Sequence, residues 1–316
     1  VDRSRLLSRR ALLWSLAGGW FCLRAPAAYA GTLDTLGTLL AGFRRTTVHR
    51  QRYAVTATVT ALGLRIFSRK GVGGGYAAVE LGECAGATCA ALQFSAGSWP
   101  DRAGSLNRFG IFHEAATYRR EETEEHAFAG FLTSSKEESI GEARQALRQV
   151  EGGVPVTVAW GQTRNGHTQS NVGHAQVAPS TTWTQSEEIL TGLLHGVAAD
   201  SSRDQAATHV PGFLAVMRNA GLSRTPVFQS PFLHNGKLYE LRVKWKLGGR
   251  KGEPQELSGE LRNERKQTTA EFRAFYAAND TSGVPVRFEY NPRSYLRLTF
   301  EADPAASSPI PDLVTG

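Results

Sequence analysis

The chain is poor in cysteine, with three in 316 residues, and it lacks any long hydrophobic run. So few cysteines exclude a disulfide-dense scaffold. The longest apolar stretch near the start, Ala11–Phe21, has 11 residues, too few to span a bilayer as a helix. There is no long run of lysine and arginine, which argues against nucleic-acid binding. Several catalytic signatures are missing: Gly-x-Ser-x-Gly, His-Glu-x-x-His and Cys-x-x-Cys-His. What remains is ordinary globular composition, 41% apolar and 21% charged, long enough to bury a sizeable core.

The first thirty residues read as a targeting segment. Arg3, Arg5, Arg9 and Arg10 precede the apolar stretch, and Ala28-Tyr29-Ala30 supplies a small-x-small cleavage pattern. Ser8-Arg9-Arg10-Ala11-Leu12-Leu13 resembles the twin-arginine export motif, the alternative being a general secretory signal. The expected layout is therefore a signal peptide over 1–30, one β-rich domain over 31–303 with two halves meeting near 150–180, and a disordered tail over 304–316. The segment carries much of the formal charge of +7; without its five arginines and one aspartate, 31 basic and 28 acidic residues leave +3. Cys22 leaves with it. Cys84 and Cys89, in GECAGATCA, are expected to form a local disulfide rather than two free thiols if the compartment is oxidising.

Most of the remaining chain alternates in the period of strands. YAVTATVT, IFSRK, YAAVEL, ALQFSA, FGIFHEAATYRR and VPVTVAW are predicted strands, and Gly71–Gly75 is read as a hairpin turn between the second and third. The acidic run Glu121–Glu125 is read as a solvated turn. His167 and His174 are placed in a polar loop, where they could ligate a metal but lack an acidic partner nearby. Helices are predicted over 32–43 and 135–150, over 184–198 with Thr184 as cap and Glu187 at the capping-box position, and from Pro211 to a stop at Gly221. From Val227 strands return, with Asn235-Gly236 a hairpin signal, and Asp280–Gly283 a turn. In the last hairpin, keeping both apolar sets on one face predicts Phe288 opposite Leu296, Glu289 opposite Tyr295 and diagonal to Arg297, and a three-residue loop Asn291-Pro292-Arg293.

FLHNGKLYELRV and DTSGVPVRFEYNPRSYLRLTFEADP, within Phe232–Asp303, resemble a family of uncharacterised exported bacterial proteins whose domain has no known function. The resemblance implies a β-rich fold and a periplasmic setting, and it transfers no active site.

Two clusters are candidate sites. The loop Gly97–Arg108 gathers Trp99, Asp101, Arg102, Asn107 and Arg108, an aromatic with several polar groups, which suits ligand binding. Arg293, Tyr295 and Arg297 are the second. His113 and Glu114 adjoin on a strand and point to opposite faces, so they cannot act together. Thr133–Lys136 resembles Ser-x-x-Lys only with Thr as nucleophile, and a helix cap explains it better.

The expected fold is α+β, a large curved antiparallel sheet, open or half-barrel-like, with about three helices packed on it. The expected function is that of a non-enzymatic periplasmic envelope protein, binding a lipid or other amphipathic ligand, or an envelope protein partner, on the concave side. The alternative is a periplasmic enzyme exported folded. No cofactor, metal or nucleic acid is expected, and a membrane is met only during export.

Overall fold

The computed structural model describes residues 42–61, 64–84, 86–99, 108–119, 122–133, 153–206, 210–234, 237–246, 252–293 and 295–303. The predicted leader, the helix over 32–43 save its last two residues, the helix over 135–150 and the tail over 304–316 lie outside the described residues.

Among the described residues fourteen antiparallel strands form one sheet. In chain order they are β1 (Arg44–Ala61), β2 (Leu64–Cys84), β3 (Ala87–Ser98), β4 (Phe109–Arg119), β5 (Glu122–Thr133), β6 (Val154–Arg164), β7 (His167–Val177) and β8 (Ser201–Ala206), then β9 (Val227–His234), β10 (Lys237–Lys246), β11 (Gln255–Asn263), β12 (Thr268–Tyr276), β13 (Arg287–Arg293) and β14 (Leu296–Ala302). Helix α1 (Ser186–Gly196) lies between β7 and β8, and α2 (Phe213–Ser223) between β8 and β9. The described residues thus hold two α-helices, fewer than the three expected.

The spatial order is β8-β7-β6-β5-β4-β3-β2-β1-β14-β13-β12-β11-β10-β9. It is a meander bent back on itself, with β1 seated between β2 and β14. Its edges, β8 and β9, are consecutive in sequence and share no ladder, so the sheet is curled but open. The segment before α2 bridges the opening. Val210 O accepts from Thr163 Oγ1 of β6 at 3.2 Å, Pro211 O accepts from Leu233 N–H of β9 at 3.1 Å, and Val210 packs with Phe128 and Leu233.

Helix α2 lies on the inner face. Its Val216 and Ala220 pack with Phe232, Leu241, Val243, Trp245, Leu257, Phe272 and Tyr276, while Ala215 joins Tyr53, Val55, Val79, Leu92 and Phe300. Helix α1 covers the opposite face of β4–β6, where Leu190 and Leu194 pack with Phe109, Ile111, Phe131, Val156, Val158 and Trp160. Neighbouring residues show the two sides: Ile111 belongs to the α1 cluster and Phe112 touches Phe213 of α2. Each fully buried Val or Leu here contributes about 1.5–3 kcal/mol.

The structure corrects several sequence expectations. Gly71–Gly75 is no turn. It lies inside β2, because a Cβ on Gly73 would fall 2.1 Å from Gly97 O and one on Gly74 2.5 Å from the Trp183 ring. Close packing demands the glycines; only Gly71, with φ +64° at a bulge against β1, uses conformational freedom. Glu122–Glu125 opens β5 instead of forming a turn, and Glu125 meets Arg164 at 2.8 Å. His167 and His174 sit on β7, an odd number of residues apart and so on opposite faces. Ahead of α1 a 3-10 turn, Trp183–Gln185, is capped at Thr182, whose N–H donates to Gln185 Oε1 at 3.0 Å, so the cap lies two residues before Thr184. Gly221 does not stop α2. It is buried in the helix because the Tyr276 ring would lie 2.6 Å from any Cβ there. Arg224 ends the helix at φ +49°, its guanidinium 4.5 Å above the Trp245 ring.

Three other expectations hold, and a fourth, the register of the last hairpin, is corrected. His234 pairs with Lys237, leaving Asn235-Gly236 between them. Asp280 accepts from Ser282 N–H and Gly283 N–H, each at 2.9 Å, and Gly283 has φ +73°. Cys84 and Cys89 form a disulfide at the end of the β2–β3 hairpin, with Cα atoms 5.9 Å apart. In the last hairpin Phe288 pairs with Phe300, not Leu296, and Glu289 with Thr299, not Tyr295. The predicted loop Asn291–Arg293 belongs to β13, where a bulge between Tyr290 and Arg293 accommodates Pro292. The slip is four residues, an even number, so both apolar sets keep their face. Arg297 is still diagonal to Glu289.

Candidate functional site

The outer face of β10–β14 carries a groove of about 590 Å³. Alternation produces it. Leu241, Val243, Leu257, Phe272 and Phe288 turn inward, so Arg242, Lys244, Ser258, Glu260, Glu271, Arg273, Glu289 and Arg297 line the other side. Cross-strand partners set the charges face to face: Arg242 opposite Glu260, Lys244 opposite Ser258, and Arg273 opposite Glu289. Glu289 is 4% exposed and is held by Arg273 and Arg287, one on each carboxylate oxygen. Arg262 pairs with Glu260 at 2.6 Å. At the rim, Lys266 bonds Glu240 at 2.6 Å and holds its carboxyl below the usual range. Lys244, Ser258 and Glu271 are exposed and free to meet a visitor. Of the second predicted cluster, Arg297 lines this groove and Tyr295 lies in the connection before β14; the side chain of Arg293 lies outside the described residues.

The first predicted cluster is described in part. Trp99 N–H donates to Val72 O at 2.8 Å and its half-buried ring packs on Trp183, centroids 5.4 Å apart. Ser98 N–H donates to Arg108 O at 2.8 Å and Arg108 N–H to Ser98 Oγ at 2.9 Å. Trp99 and Arg108 thus fasten the two ends of the loop. Asp101, Arg102 and Asn107 lie outside the described residues.

A buried polar knot was not found from sequence. Glu114 of β4 reaches α2, where Oε1 accepts from Leu214 N–H at 2.8 Å and Oε2 from Ala215 N–H at 2.9 Å. The carboxylate therefore caps the helix from across the sheet. His126 Nε2 lies 3.3 Å from Glu114 Oε2 and 3.2 Å from Gly212 N, facing an acceptor and a donor with one nitrogen. A Cβ at residue 212 would meet both side chains at 2.5 Å, which is why glycine stands there. With Glu114 and His126 side chains 3% and 1% exposed, the pair is sealed and positions α2. The signal that could have found it is diagonal pairing across the β4–β5 hairpin, since Glu114 pairs with Phe128.

On the face of β2 that Trp183 covers lies another enclosed group. Glu80, 0% exposed, is bound by Arg45 at 3.0 Å and Arg50 at 2.9 Å. Burial pushes the nearby Tyr76 hydroxyl up to about 12, against the pull of Arg50, and raises Glu187 despite a hydrogen bond from Gln93. Among the described residues no group of three His, Cys, Asp or Glu is placed to hold a metal, and no helix is long and apolar enough to cross a membrane.

No family model matches the chain, so the resemblance of Phe232–Asp303 names no family. No curated protein matches it either. A crystal structure of a β-barrel-like protein of domain of unknown function DUF1849 from Brucella abortus is similar, at 7% identity and a TM-score of 0.41, over 80% of this chain and 95% of that one.

Proposed function

We propose that this is an exported, non-enzymatic envelope protein that binds a partner protein along the outer face of β10–β14. The observation that carries the reading is the groove, open and lined by side chains of both signs over five strands. Sites for apolar small molecules are enclosed and mostly apolar, whereas an open charged trough fits a polar protein segment. On the concave side, where a lipid was expected, α2 fills the space, and a cavity beside Glu114 and His234 holds about 10 Å³, room for about one water. The leader and the Cys84–Cys89 disulfide support an oxidising, extracytoplasmic setting.

A photo-crosslinking residue at Ser258, in cells of the source organism, tests the reading. The expected result is a protein adduct of discrete mass, absent when the probe sits at Thr191 on α1 and lost with Arg242→Glu and Lys244→Glu. An adduct of lipid mass, equal adducts at both positions, or none at Ser258 would overturn it.

A further inference from the structure

The β2 half of the hairpin β1–β2 runs on past β3, while β1 stays paired with β14 as far as Val59. β3 pairs with β2 only as far as Gly73, so among the described residues the Leu64–Lys70 stretch has β1 as its ladder partner, from Ala57↔Arg69 to Ala61↔Leu64. A ribbon with no second layer cannot bury its side chains. Leu64, Ile66 and Phe67 are 71%, 62% and 54% exposed, three of the five exposed large hydrophobics among the described residues. Interleaved with them are Arg65, Arg69 and Lys70, all exposed.

The charge along this stretch of the chain has one sign. No aspartate or glutamate occurs from residue 35 to residue 79. Nearer the sheet, the arginines of β1 find acids on the far end of β2: Arg44 meets Glu83, and Arg45 and Arg50 meet Glu80. Among the described residues, Arg65, Arg69 and Lys70 have no ion pair.

We propose that this ribbon seats the protein on an anionic lipid bilayer. Leu64, Ile66 and Phe67 enter the boundary between headgroups and acyl chains, while Arg65, Arg69 and Lys70 meet lipid phosphates. Exposed apolar side chains mark an interaction surface, and interleaved cations select its partner. A second copy of the chain would bring the same three cations to the contact and repel, and Lys and Arg on an unpaired strand edge oppose edge-to-edge pairing. An anionic bilayer neutralises them, and their long stems let the charged ends stay at the polar layer while neighbouring apolar groups go deeper. The proposal stands apart from the groove on β10–β14.

The test places an environment-sensitive fluorophore at Ile66→Cys in the full chain with Cys22→Ser. Vesicles of phosphatidylglycerol with phosphatidylethanolamine are compared with vesicles of phosphatidylcholine. The expected result is a blue-shifted, brighter emission with the anionic vesicles alone, weakened about fivefold in apparent affinity for each of Arg65→Gln, Arg69→Gln and Lys70→Gln. A label at Thr191→Cys on α1 stays in water. Unchanged emission at residue 66, an equal response to phosphatidylcholine, an equal response at residue 191, or a shift that grows with protein concentration without vesicles would each overturn the proposal. The last would identify self-association instead.

Discussion

The two arms of the sheet solve burial differently. In β2–β6 both faces are covered, by α2 on one side and by α1 with Trp183 on the other. In β10–β14 the inner face is packed and the outer face carries Arg, Lys and Glu. The difference decides what a charge does. In the first arm Glu80 and Glu114 are sealed, and their partners are architectural. In the second, Glu289 is enclosed between two arginines, but ion pairs such as Lys246–Glu256 stand in solvent, where screening and side-chain entropy cancel most of their attraction.

Four substitutions or titrations sharpen or break this contrast. Glu114→Ala strands two helix N–H groups and His126, and is expected to destabilise by about 3–5 kcal/mol in urea unfolding. A loss under about 1 kcal/mol would mean that the first arm tolerates charge as the second does. Acid should weaken the first arm where β9 meets it. Burial holds His113 of β4 and His234 of β9 down at about 4, against 6.5 for the free side chain. Their contribution is therefore complete above pH 6.5 and is lost as pH falls toward 4, up to about 3 kcal/mol for each. Thermal unfolding across that window reads it, and His234→Gln should flatten the slope. Gly74→Ala drives a methyl into the Trp183 ring and should lower stability by about 1–3 kcal/mol, measured by calorimetry. Lys246→Ala, on the outer face, should change it by less than about 1 kcal/mol in the same assay.

The same contrast explains what could be read from the sequence. Where one face meets water, alternation reports the strand directly, so the Asn235-Gly236 hairpin, the Asp280–Gly283 turn and the apolar face of the last hairpin were legible. The register of that hairpin was not, because parity fixes the face but permits slips of two or four residues, and a bulge moved the turn beyond Pro292. In the doubly covered arm, runs such as GVGGGYAAVEL lose alternation, and their glycines look like punctuation although Gly97 and Trp183 are what demand them. The charged groove was legible only through Arg297, since it needs five strands laid side by side. The Glu114–His126 knot needs the long-range placement of α2, which no local pattern encodes.

The seat of β1 between β2 and β14 has a kinetic consequence. Val55 meets Phe300, 245 positions on, in the ladder that joins the most distant segments among the described strands. Such a closure has to wait while the intervening ribbon is synthesised and is expected to be a slow event in assembly. Until β14 arrives, β1 presents an unsatisfied edge, the kind of template that recruits other nascent chains. Deleting the final strand should therefore produce aggregates seeded from the opposite end of the polypeptide.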